Sequence, residues 1–365
     1  SLGNFIKQRT QDEKSSQYFW TKLEGKDKLN GLSLSYHLQN YNFQMGHGFV
    51  ALFPEIEKTS SVTRNYVLAK YVTPRSSKKL VQEYVLKYDN EISRYNMQLA
   101  PVGYVRTFSN GILDSSGVYE EYITPVNNLF ARLQWIYLLK KNATILGGIE
   151  QDIVFYRGDK LHNSNVNLSA PGFYPFNSGK LERVGPLYEP IKNHPIKTTG
   201  VYAQLTSGNW LGDKLTTTIG ARYDMYYYTY KDLATDLEAK RFQTHFSPRV
   251  ALIYSAATNF SLKALYGNAF RFASPFEQFI ANSVISGSGR GNIKPEDITN
   301  FELSSDWNIR KTIKWRNTIF YSIFKDEIRN GSRGVFDNTI NTTQAGFESE
   351  AEVFFNNLTA FANYS

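Results

Sequence analysis

The sequence predicts an all-β protein, an antiparallel transmembrane β-barrel of which this chain supplies about thirteen strands. Three observations predict it: alternation of apolar and polar residues, connections that alternate between tight turns and long loops, and an aromatic content of 15 %. No stretch contains the roughly eighteen consecutive apolar residues that a transmembrane helix needs. The mean hydropathy of −0.41 fits a barrel, because one face of each spanning strand is polar.

The clearest strand covers residues 214–230. Leu215 and Ile219 fall on one of its faces, and Arg222 and Asp224 fall on the other. An apolar row opposite charged residues predicts lipid on one side and a wet lumen on the other. We expect the tyrosines that follow to form an interfacial aromatic girdle: Tyr226, Tyr227, Tyr228 and Tyr230.

The same alternation recurs in residues 129–137, 312–323 and 346–355, and it predicts that Trp315 and Ile319 also face lipid. Several carboxylates on one strand face need water or cations, because burying them unpaired is costly. A polar lumen provides both. The residues predicted to face it are Arg132, Arg222, Asp224, Arg249, Glu348, Glu350 and Glu352.

The predicted strands lie near 31–43, 64–73, 79–90, 127–139, 144–156, 197–208, 214–230, 242–256, 259–271, 297–310, 312–325, 342–356 and 358–365. Tight turns are predicted at 140–143, 256–259 and 356–357, and long loops at 157–196, 272–296 and 326–341. Short turns at one end and long loops at the other are typical of outer-membrane barrels. Residues 1–30 are polar and are not assigned to an element.

Five segments in order resemble the barrel portion of TonB-dependent outer-membrane receptors. They are GVYAQLTSGNWLGDKLTTTIGARYD (200–224), FSPRVALIY (246–254), LKALYGNAFRFASPFE (262–277), GNIKPEDITNFELSSDW (291–307) and AGFESEAEVFF (345–355). The third and fourth resemble the two best-marked barrel boxes of that family. The positions that carry these boxes are Phe270, Arg271, Ser274, Pro275, Glu277, Asn292, Lys294, Pro295 and Glu296.

The resemblance implies a larger barrel of about twenty-two strands whose lumen holds a plug domain. It also implies a receptor that binds a scarce nutrient at extracellular loops and imports it with force from the TonB complex, acting through the plug. The sequence before residue 31 shows no plug, and the chain stops in mid-strand, so we expect the plug and several strands to lie outside it. Expected partners are outer-membrane lipid, the plug, the TonB complex and a small-molecule ligand. Nucleic acid is not expected, because the basic residues behind the net charge of +8 are scattered.

The resemblance also bears on the ligand. Haem receptors of this family usually carry a histidine between the two boxes, and residues 272–291 contain none. Segment 157–197 holds six lysines and arginines against three carboxylates, together with aromatic residues, which suits an anionic aromatic ligand such as a ferric siderophore. The candidate ligand-binding residues are Arg157, Tyr174, Arg183, Tyr188, Arg290, Arg329 and Arg333.

The sequence shows no constellation typical of an enzyme. Its five histidines are scattered without metal-ligand spacing and it has no cysteine, so we expect no catalytic residue, no bound metal and no cofactor. Two other functions stay open. One is a passive porin, which a plug-encoding segment upstream would argue against. The other is a soluble glycan-binding β-protein, such as a propeller or sandwich, which cell fractionation would reveal.

Overall fold

The structure is a computed structural model of the 365-residue chain. It describes residues 13–44, 59–74, 79–100, 106–107, 113–114, 118–139, 143–157, 159–162, 182–186, 189–192, 194–207, 210–232, 235–280, 293–309, 312–330, 336–355 and 357–365. These residues form eighteen strands and three single helical turns, at Asp27–Leu29, Glu189–Ile191 and Phe276–Ile280. None of the helical segments in these ranges is long and apolar enough to cross a membrane.

The strands are β1 (Lys14–Glu24), β2 (Leu32–Phe43), β3 (Ser60–Val72), β4 (Leu80–Ala100), β5 (Arg106–Thr107), β6 (Leu113–Asp114), β7 (Val118–Leu138), β8 (Thr144–Tyr156), β9 (Asp159–His162), β10 (Glu182–Pro186), β11 (Ile196–Thr206), β12 (Leu215–Lys231), β13 (Glu238–Ala257), β14 (Phe260–Arg271), β15 (Glu296–Ile309), β16 (Ile313–Asn330), β17 (Phe336–Phe355) and β18 (Leu358–Tyr364).

Fourteen strands form one antiparallel path in the order β1-β2-β3-β4-β7-β8-β11-β12-β13-β14-β15-β16-β17-β18. The β9–β10 hairpin pairs with the side of β7, and β5–β6 form a separate small hairpin. The all-β antiparallel prediction is therefore confirmed, and every predicted strand is present. Strand β1 is additional and lies in the segment 1–30 that the sequence analysis left unassigned.

The connections alternate between the two ends of the sheet. Short turns close β3–β4, β7–β8, β13–β14, β15–β16 and β17–β18 at one end, which we call the short-turn edge. The connections of β2–β3, β4–β7, β8–β11 and β14–β15 lie at the opposite end, the long-loop edge. The predicted long loop 326–341 was wrong in extent: β16 continues to Asn330 and β17 begins at Phe336, with register shifts on either side of Glu327. This hairpin has polar residues on both faces, so the sequence lacks the alternation that marks a spanning strand.

The sheet has two chemically different faces. Residues directly opposite each other on antiparallel strands share a face, so the register extends each face from strand to strand. One row runs from Arg132 through Glu150 and Gly200 to Asp224. Another runs from Gly220 through Arg249. On β17, Glu348, Glu350 and Glu352 lie opposite Thr318, Arg316 and Lys314. All seven residues predicted to face the lumen thus share one side of the sheet, here called the polar face.

The apolar face carries the residues predicted to face lipid. The exposed fractions of Ile219, Trp315 and Ile319 are 53 %, 41 % and 58 %. Leu215, on the same face, is half-buried. Tyr223, Phe246, Phe301 and other large side chains on this face are also exposed. So much exposed apolar surface on one side of a sheet indicates a non-aqueous surrounding.

The tyrosines after Asp224 do not form the expected girdle. Tyr226, Tyr228 and Tyr230 are only 5 %, 0 % and 8 % exposed, and they lie on the polar face with Arg222. The period of two continues unbroken through β12, so the even-numbered residues stay on that face. Tyr227 alone of the four points to the apolar face.

A new charge should destabilise the protein more on the apolar face than on the polar face. In the full-length protein in lipid vesicles, Ile219→Arg should lower the unfolding free energy by about 2–4 kcal/mol if residue 219 lies near the midplane of the hydrocarbon. The matched control is Thr218→Arg, because Thr218 is its neighbour on the polar face. It should cost less than half as much. Equal losses for the two variants would contradict the assignment of faces.

Candidate functional site

The described residues of the two family-like boxes lie at the long-loop edge around Arg271. Its guanidinium donates two hydrogen bonds to Glu277, of 2.8 and 3.1 Å, and one of 2.6 Å to Glu296. Glu296 also accepts a 2.7 Å hydrogen bond from the backbone N–H of Ile328 on β16. We call Arg271, Ser274, Glu277 and Glu296 the clasp. It ties the segment after β14 to the ends of β15 and β16.

The clasp contains a capping box at the start of the Phe276–Ile280 turn. The Glu277 carboxylate accepts a 2.7 Å hydrogen bond from the Ser274 N–H, and the Glu277 N–H donates to the Ser274 hydroxyl at 3.3 Å. Burial raises the pKa of Glu277, but the hydrogen bonds from Arg271 and Ser274 outweigh it and hold that pKa below its ordinary value of 4.5. The charged form of Glu277 therefore stabilises the turn.

A buried hydrophobic cluster lies beside the clasp, on the polar face of β12. Phe279 packs against Tyr228 and Tyr230, and the Phe272 ring stacks on Tyr226 with 4.3 Å between centroids. The Tyr228 hydroxyl donates a 2.5 Å hydrogen bond to the buried Gln278. The other members of the cluster are Ile191, in the helical turn before β11, and Ile196, the first residue of β11. Two loop segments are therefore held together over the end of the polar face.

The other box residues have structural roles in the same region. The Phe270 ring stacks on His245, whose Nε2 lies 2.7 Å from an oxygen of Asp297. Pro275 is buried, and the Lys294 N–H donates a 2.7 Å hydrogen bond to the Asn338 side chain. Pro295 is half-buried beside Glu296. Asn292 lies outside the described residues.

Three of the seven candidate ligand-binding residues lie within the described ranges. Arg157 follows β8 and is exposed, and Arg183 belongs to β10. Arg329 is not in a loop as expected: it lies in β16 and donates a 2.9 Å hydrogen bond to Glu327. The remaining four lie outside the described residues: Tyr174, Tyr188, Arg290 and Arg333.

Below the hydrophobic cluster, six charged side chains form a row of ion pairs across the polar face: Lys70, Glu83, Arg132, Glu150, Arg222 and Asp224. Glu83 lies 2.6 Å from both its cations. Arg222 contacts Glu150 at 2.7 Å and Asp224 at 2.8 Å. The row contains three cations and three carboxylates, so its charge is balanced within the chain. The sequence analysis predicted Arg132, Arg222 and Asp224 at this face and missed Lys70, Glu83 and Glu150, which come from other strands.

Two glycines leave room for the side chains of Tyr202 and Arg222 to lie against the sheet. Gly148 faces Tyr202, whose hydroxyl donates a 3.0 Å hydrogen bond to Gln134. A Cβ at position 148 would come within 2.5 Å of the Tyr202 ring and 2.8 Å of the Leu133 carbonyl oxygen. A Cβ at Gly200 would collide with the Arg222 guanidinium. Both positions therefore need the small residue for close approach.

No group of three or more histidine, aspartate or glutamate side chains with the arrangement of a metal site occurs among the described residues. Among the described residues, the polar face carries paired charges and packed rings. His245 also contacts two side chains there, with its Nδ1 3.1 Å from the Ser247 hydroxyl and its Nε2 2.7 Å from Asp297. At the long-loop edge the polar face ends in anchored loop segments.

Comparison with known proteins identifies the family. The family model described as TonB dependent receptor-like, beta-barrel, matches residues 3–365. The chain belongs to this TonB-dependent receptor β-barrel family. The family match and the continuous path of fourteen antiparallel strands argue against a soluble propeller or sandwich. No curated protein matches the sequence.

Solved structures with the same fold are TonB-dependent receptor barrels of low sequence identity. The chain aligns with the copper transporter OprC at a TM-score of 0.68 and 13 % identity, covering 95 % of this chain and 51 % of that one. It aligns with the ferric-catecholate import receptor Fiu from E. coli K12 at a TM-score of 0.65 and 12 % identity, covering 94 % of this chain and 56 % of that one. It aligns with the ferripyoverdine receptor of the Pseudomonas aeruginosa outer membrane at a TM-score of 0.62 and 14 % identity, covering 94 % of this chain and 47 % of that one. The chain thus spans about half the length of the structures it resembles.

The close approach at Gly148 predicts that Gly148→Ala destabilises the barrel. The added methyl group must displace Tyr202 or the backbone of β7, which should lower the unfolding free energy by about 1–3 kcal/mol. Gly267→Ala is the matched control, since a Cβ there meets no atom within 4 Å. Its effect should stay within about 0.5 kcal/mol, as for substitutions that disturb no contact. Denaturant titration of both variants in lipid vesicles checks this. A Gly148→Ala barrel as stable as Gly267→Ala would show that Tyr202 is free to move.

The lowered pKa of Glu277 predicts a pH dependence of the clasp. A carboxyl whose folded-state pKa is depressed contributes stability above its unfolded pKa and loses it as the pH falls through the folded value. Protection of segment 272–280 from hydrogen exchange, measured relative to the intrinsic exchange rate at each pH, should therefore decrease as the pH falls below 4.5. Glu277→Gln should lower this protection already at neutral pH and remove its pH dependence. The control is Glu350→Gln, because the Glu350 side chain is 62 % exposed and lies 3.7 Å from Arg316. In this variant the protection of segment 272–280 should be the same as in the wild type. Protection that does not change with pH in the wild type would rule out this role of Glu277.

Proposed function

We propose that this chain forms part of the barrel of an outer-membrane receptor that binds a ferric siderophore-type complex at the long-loop edge. Import would use energy from the TonB complex, transmitted through a plug domain inside the lumen. The apolar face would contact outer-membrane lipid, and the polar face would line the lumen. The observation that carries the proposal is the family match over residues 3–365, joined to a long-loop edge that is folded and anchored.

The anchored edge supports ligand binding there. The clasp and the hydrophobic cluster fix segments 189–196 and 272–280 over the end of the polar face. A fixed surface loses little conformational entropy when a ligand binds, which favours affinity. The short-turn edge offers no comparable surface among the described residues, because its turns are only a few residues long.

The ligand class is supported by charge and by the similar structures. Segment 157–197 carries six lysines and arginines against three carboxylates. Arginine can hold catecholate or carboxylate oxygens in fixed geometry, and tyrosine can stack on an aromatic ligand. Two of the similar structures are named as a ferric-catecholate import receptor and a ferripyoverdine receptor. OprC is named as a copper transporter, so a metal-containing cargo is the shared theme.

The test is ligand binding by a full-length receptor in which residues 163–181 are replaced by Asn-Gly. His162 and Glu182 pair directly across β9 and β10, so a two-residue turn should close the hairpin and keep Ile191 in its cluster. A ferric tris-catecholate is the probe. Its affinity should fall at least about tenfold, as expected for losing one charge-assisted hydrogen bond or a stacked ring.

The matched controls keep the result interpretable. Outer-membrane insertion of the variant is verified by heat-modifiable gel mobility. Arg316→Ala, near the short-turn edge, should leave affinity unchanged, whereas Arg183→Ala should weaken it. Undiminished affinity of the shortened receptor would refute this ligand site. Uptake that persists in cells lacking TonB would instead indicate a passive channel.

A further inference from the structure

A row of amide side chains crosses the apolar face near the long-loop edge. Asn65, Asn90 and Asn127 lie directly opposite one another on β3, β4 and β7. The Asn65 amide nitrogen donates a 3.4 Å hydrogen bond to Asn90, and the Asn90 amide nitrogen donates a 2.8 Å hydrogen bond to Asn127. The Tyr88 hydroxyl, on the same face, donates a 2.9 Å hydrogen bond to Asn127. We call the three asparagines the amide row.

The amide row marks the height at which the hydrocarbon ends. Asn127 lies on the same face of β7 as the exposed Leu129 and Tyr137, and it is ten residues from Tyr137, which lies beside the short turn. Ten residues of a strand tilted by about 40° rise about 25 Å, which is the height of the apolar band of a barrel. Amides are costly to place in hydrocarbon, where no water can bind them. The amide row therefore lies among lipid headgroups.

An apolar groove lies below the amide row on the same face. Its volume is about 470 Å³, and its lining includes Ala69, Leu86, Ala131 and Ile149. Ala69 and Ala131 lie opposite Leu86 on its two sides, and their small side chains leave space beside larger neighbours such as Tyr84. An acyl chain that enters this groove gains apolar contacts on several sides. The groove therefore places a lipid chain directly below the polar amides.

Two exposed lysines lie on the apolar face beside the amide row. Lys197 in β11 is in register with Ile153 in β8, which is in register with Leu129 in β7. Strand β8 separates β11 from β7, so Lys197 lies about 10 Å from the amide row across the sheet. Lys240 in β13 continues this boundary beyond β12. Neither lysine makes an ion pair or a side-chain hydrogen bond with another described residue.

The groups above the groove suit a sugar that carries phosphate. The amide oxygen of Asn65 and the amide nitrogen of Asn127 stand at the two ends of the amide row, and neither atom has a further side-chain partner among the described residues. One accepts and the other donates hydrogen bonds, and a sugar hydroxyl group does both. Lysine binds phosphate as a point charge. Acyl chains, hydroxyl groups and phosphate occur together, at these relative heights, in a phosphorylated glycolipid.

We infer that the apolar face binds a phosphorylated glycolipid of the leaflet at the long-loop edge, with an acyl chain in the groove, sugar on the amide row and phosphate at Lys197 and Lys240. This inference rests on the proposed function, because it requires the apolar face to lie in an outer membrane with the long loops outside. It names the lipid that this face selects. A plain phospholipid would leave the ends of the amide row to water, and free phosphate would leave the groove empty.

Native mass spectrometry of the full-length protein in detergent micelles tests the inference, because it resolves each bound lipid by its mass. The probes are a synthetic disaccharide glycolipid with two phosphates, the same glycolipid without phosphate, phosphatidylglycerol and inorganic phosphate. The phosphorylated glycolipid should bind at least about tenfold more tightly than phosphatidylglycerol, as expected for two additional hydrogen bonds. Inorganic phosphate should neither bind nor compete. Equal affinities for the phosphorylated glycolipid and phosphatidylglycerol would overturn the inference, since the face would then respond to charge alone.

A double variant tests the phosphate contacts. Lys197→Gln combined with Lys240→Gln should weaken binding of the phosphorylated glycolipid about fivefold for each lysine and leave the unphosphorylated glycolipid unaffected. The matched control combines Lys28→Gln and Lys214→Gln, which remove the same charge from exposed turns before β2 and β12 at the short-turn edge. The control should bind as the wild type does. The same weakening in both double variants would contradict the assignment of the phosphates to Lys197 and Lys240.

A single variant tests the sugar contact. Asn127→Ala should weaken binding of both glycolipids about fivefold, as expected for one lost hydrogen bond, and leave phosphatidylglycerol binding unchanged. Equal losses for all three lipids would show that Asn127 only supports the local structure, and would overturn the sugar site. A lipid-free dimer that glycolipid does not dissociate would assign the face to a second copy of the chain and overturn the inference as well.

Binding of a ferric tris-catecholate by the wild type is measured in parallel and separates this inference from the proposed function. Glycolipid binding without catecholate binding would refute the proposed ligand and support the lipid site. Catecholate binding without any preference for the phosphorylated glycolipid would overturn the lipid site alone.

Discussion

The structure depends on one constraint: in hydrocarbon every backbone N–H and C=O group must find a partner within the protein. The fourteen-stranded antiparallel path meets it by continuous cross-strand pairing from β1 to β18. Continuous pairing fixes the register, and the register fixes which side chains share a face. The apolar face around Ile219 and the polar face around Arg222 are therefore consequences of the same ladder of hydrogen bonds. Register shifts occur near strand ends, as beside Glu327 toward the long-loop edge and between Ser255 and Ala257 at the short-turn edge, where water or packed loops can replace the ladder.

Once the register is fixed, the polar face must accommodate its charges. On β3, β4, β7, β8 and β12 the charges are paired between nearby strands, and Gly148 and Gly200 make room for Tyr202 and Arg222 to reach their partners. At the long-loop edge Arg271 pairs with the carboxylates of Glu277 and Glu296, and these ion pairs connect the loop after β14 to the start of β15.

The sequence predicted what is periodic and missed what depends on long-range neighbours. The faces of Ile219 and Arg222 followed from a period of two, without knowledge of adjacent strands. The partner of Arg222 did not, because Glu150 is 72 positions away and meets it only through the register of β8, β11 and β12. Tyr228 was misassigned although the same period places it on the polar face, since the density of tyrosines suggested an interface. Residues 326–341 were taken for a loop because a strand outside the hydrocarbon needs no apolar face.

The central claim is that β12 presents alternate residues to lipid and to the lumen, and collision accessibility of spin labels tests it most directly. Labels would be placed one at a time at positions 217–223 of the full-length receptor in lipid vesicles. The account predicts that oxygen accessibility peaks at 217, 219, 221 and 223 and falls at 218, 220 and 222. Accessibility to a polar nickel reagent should show no peaks at the odd positions. An inverted pattern, or oxygen accessibility without a period of two, would contradict the register on which the whole account rests.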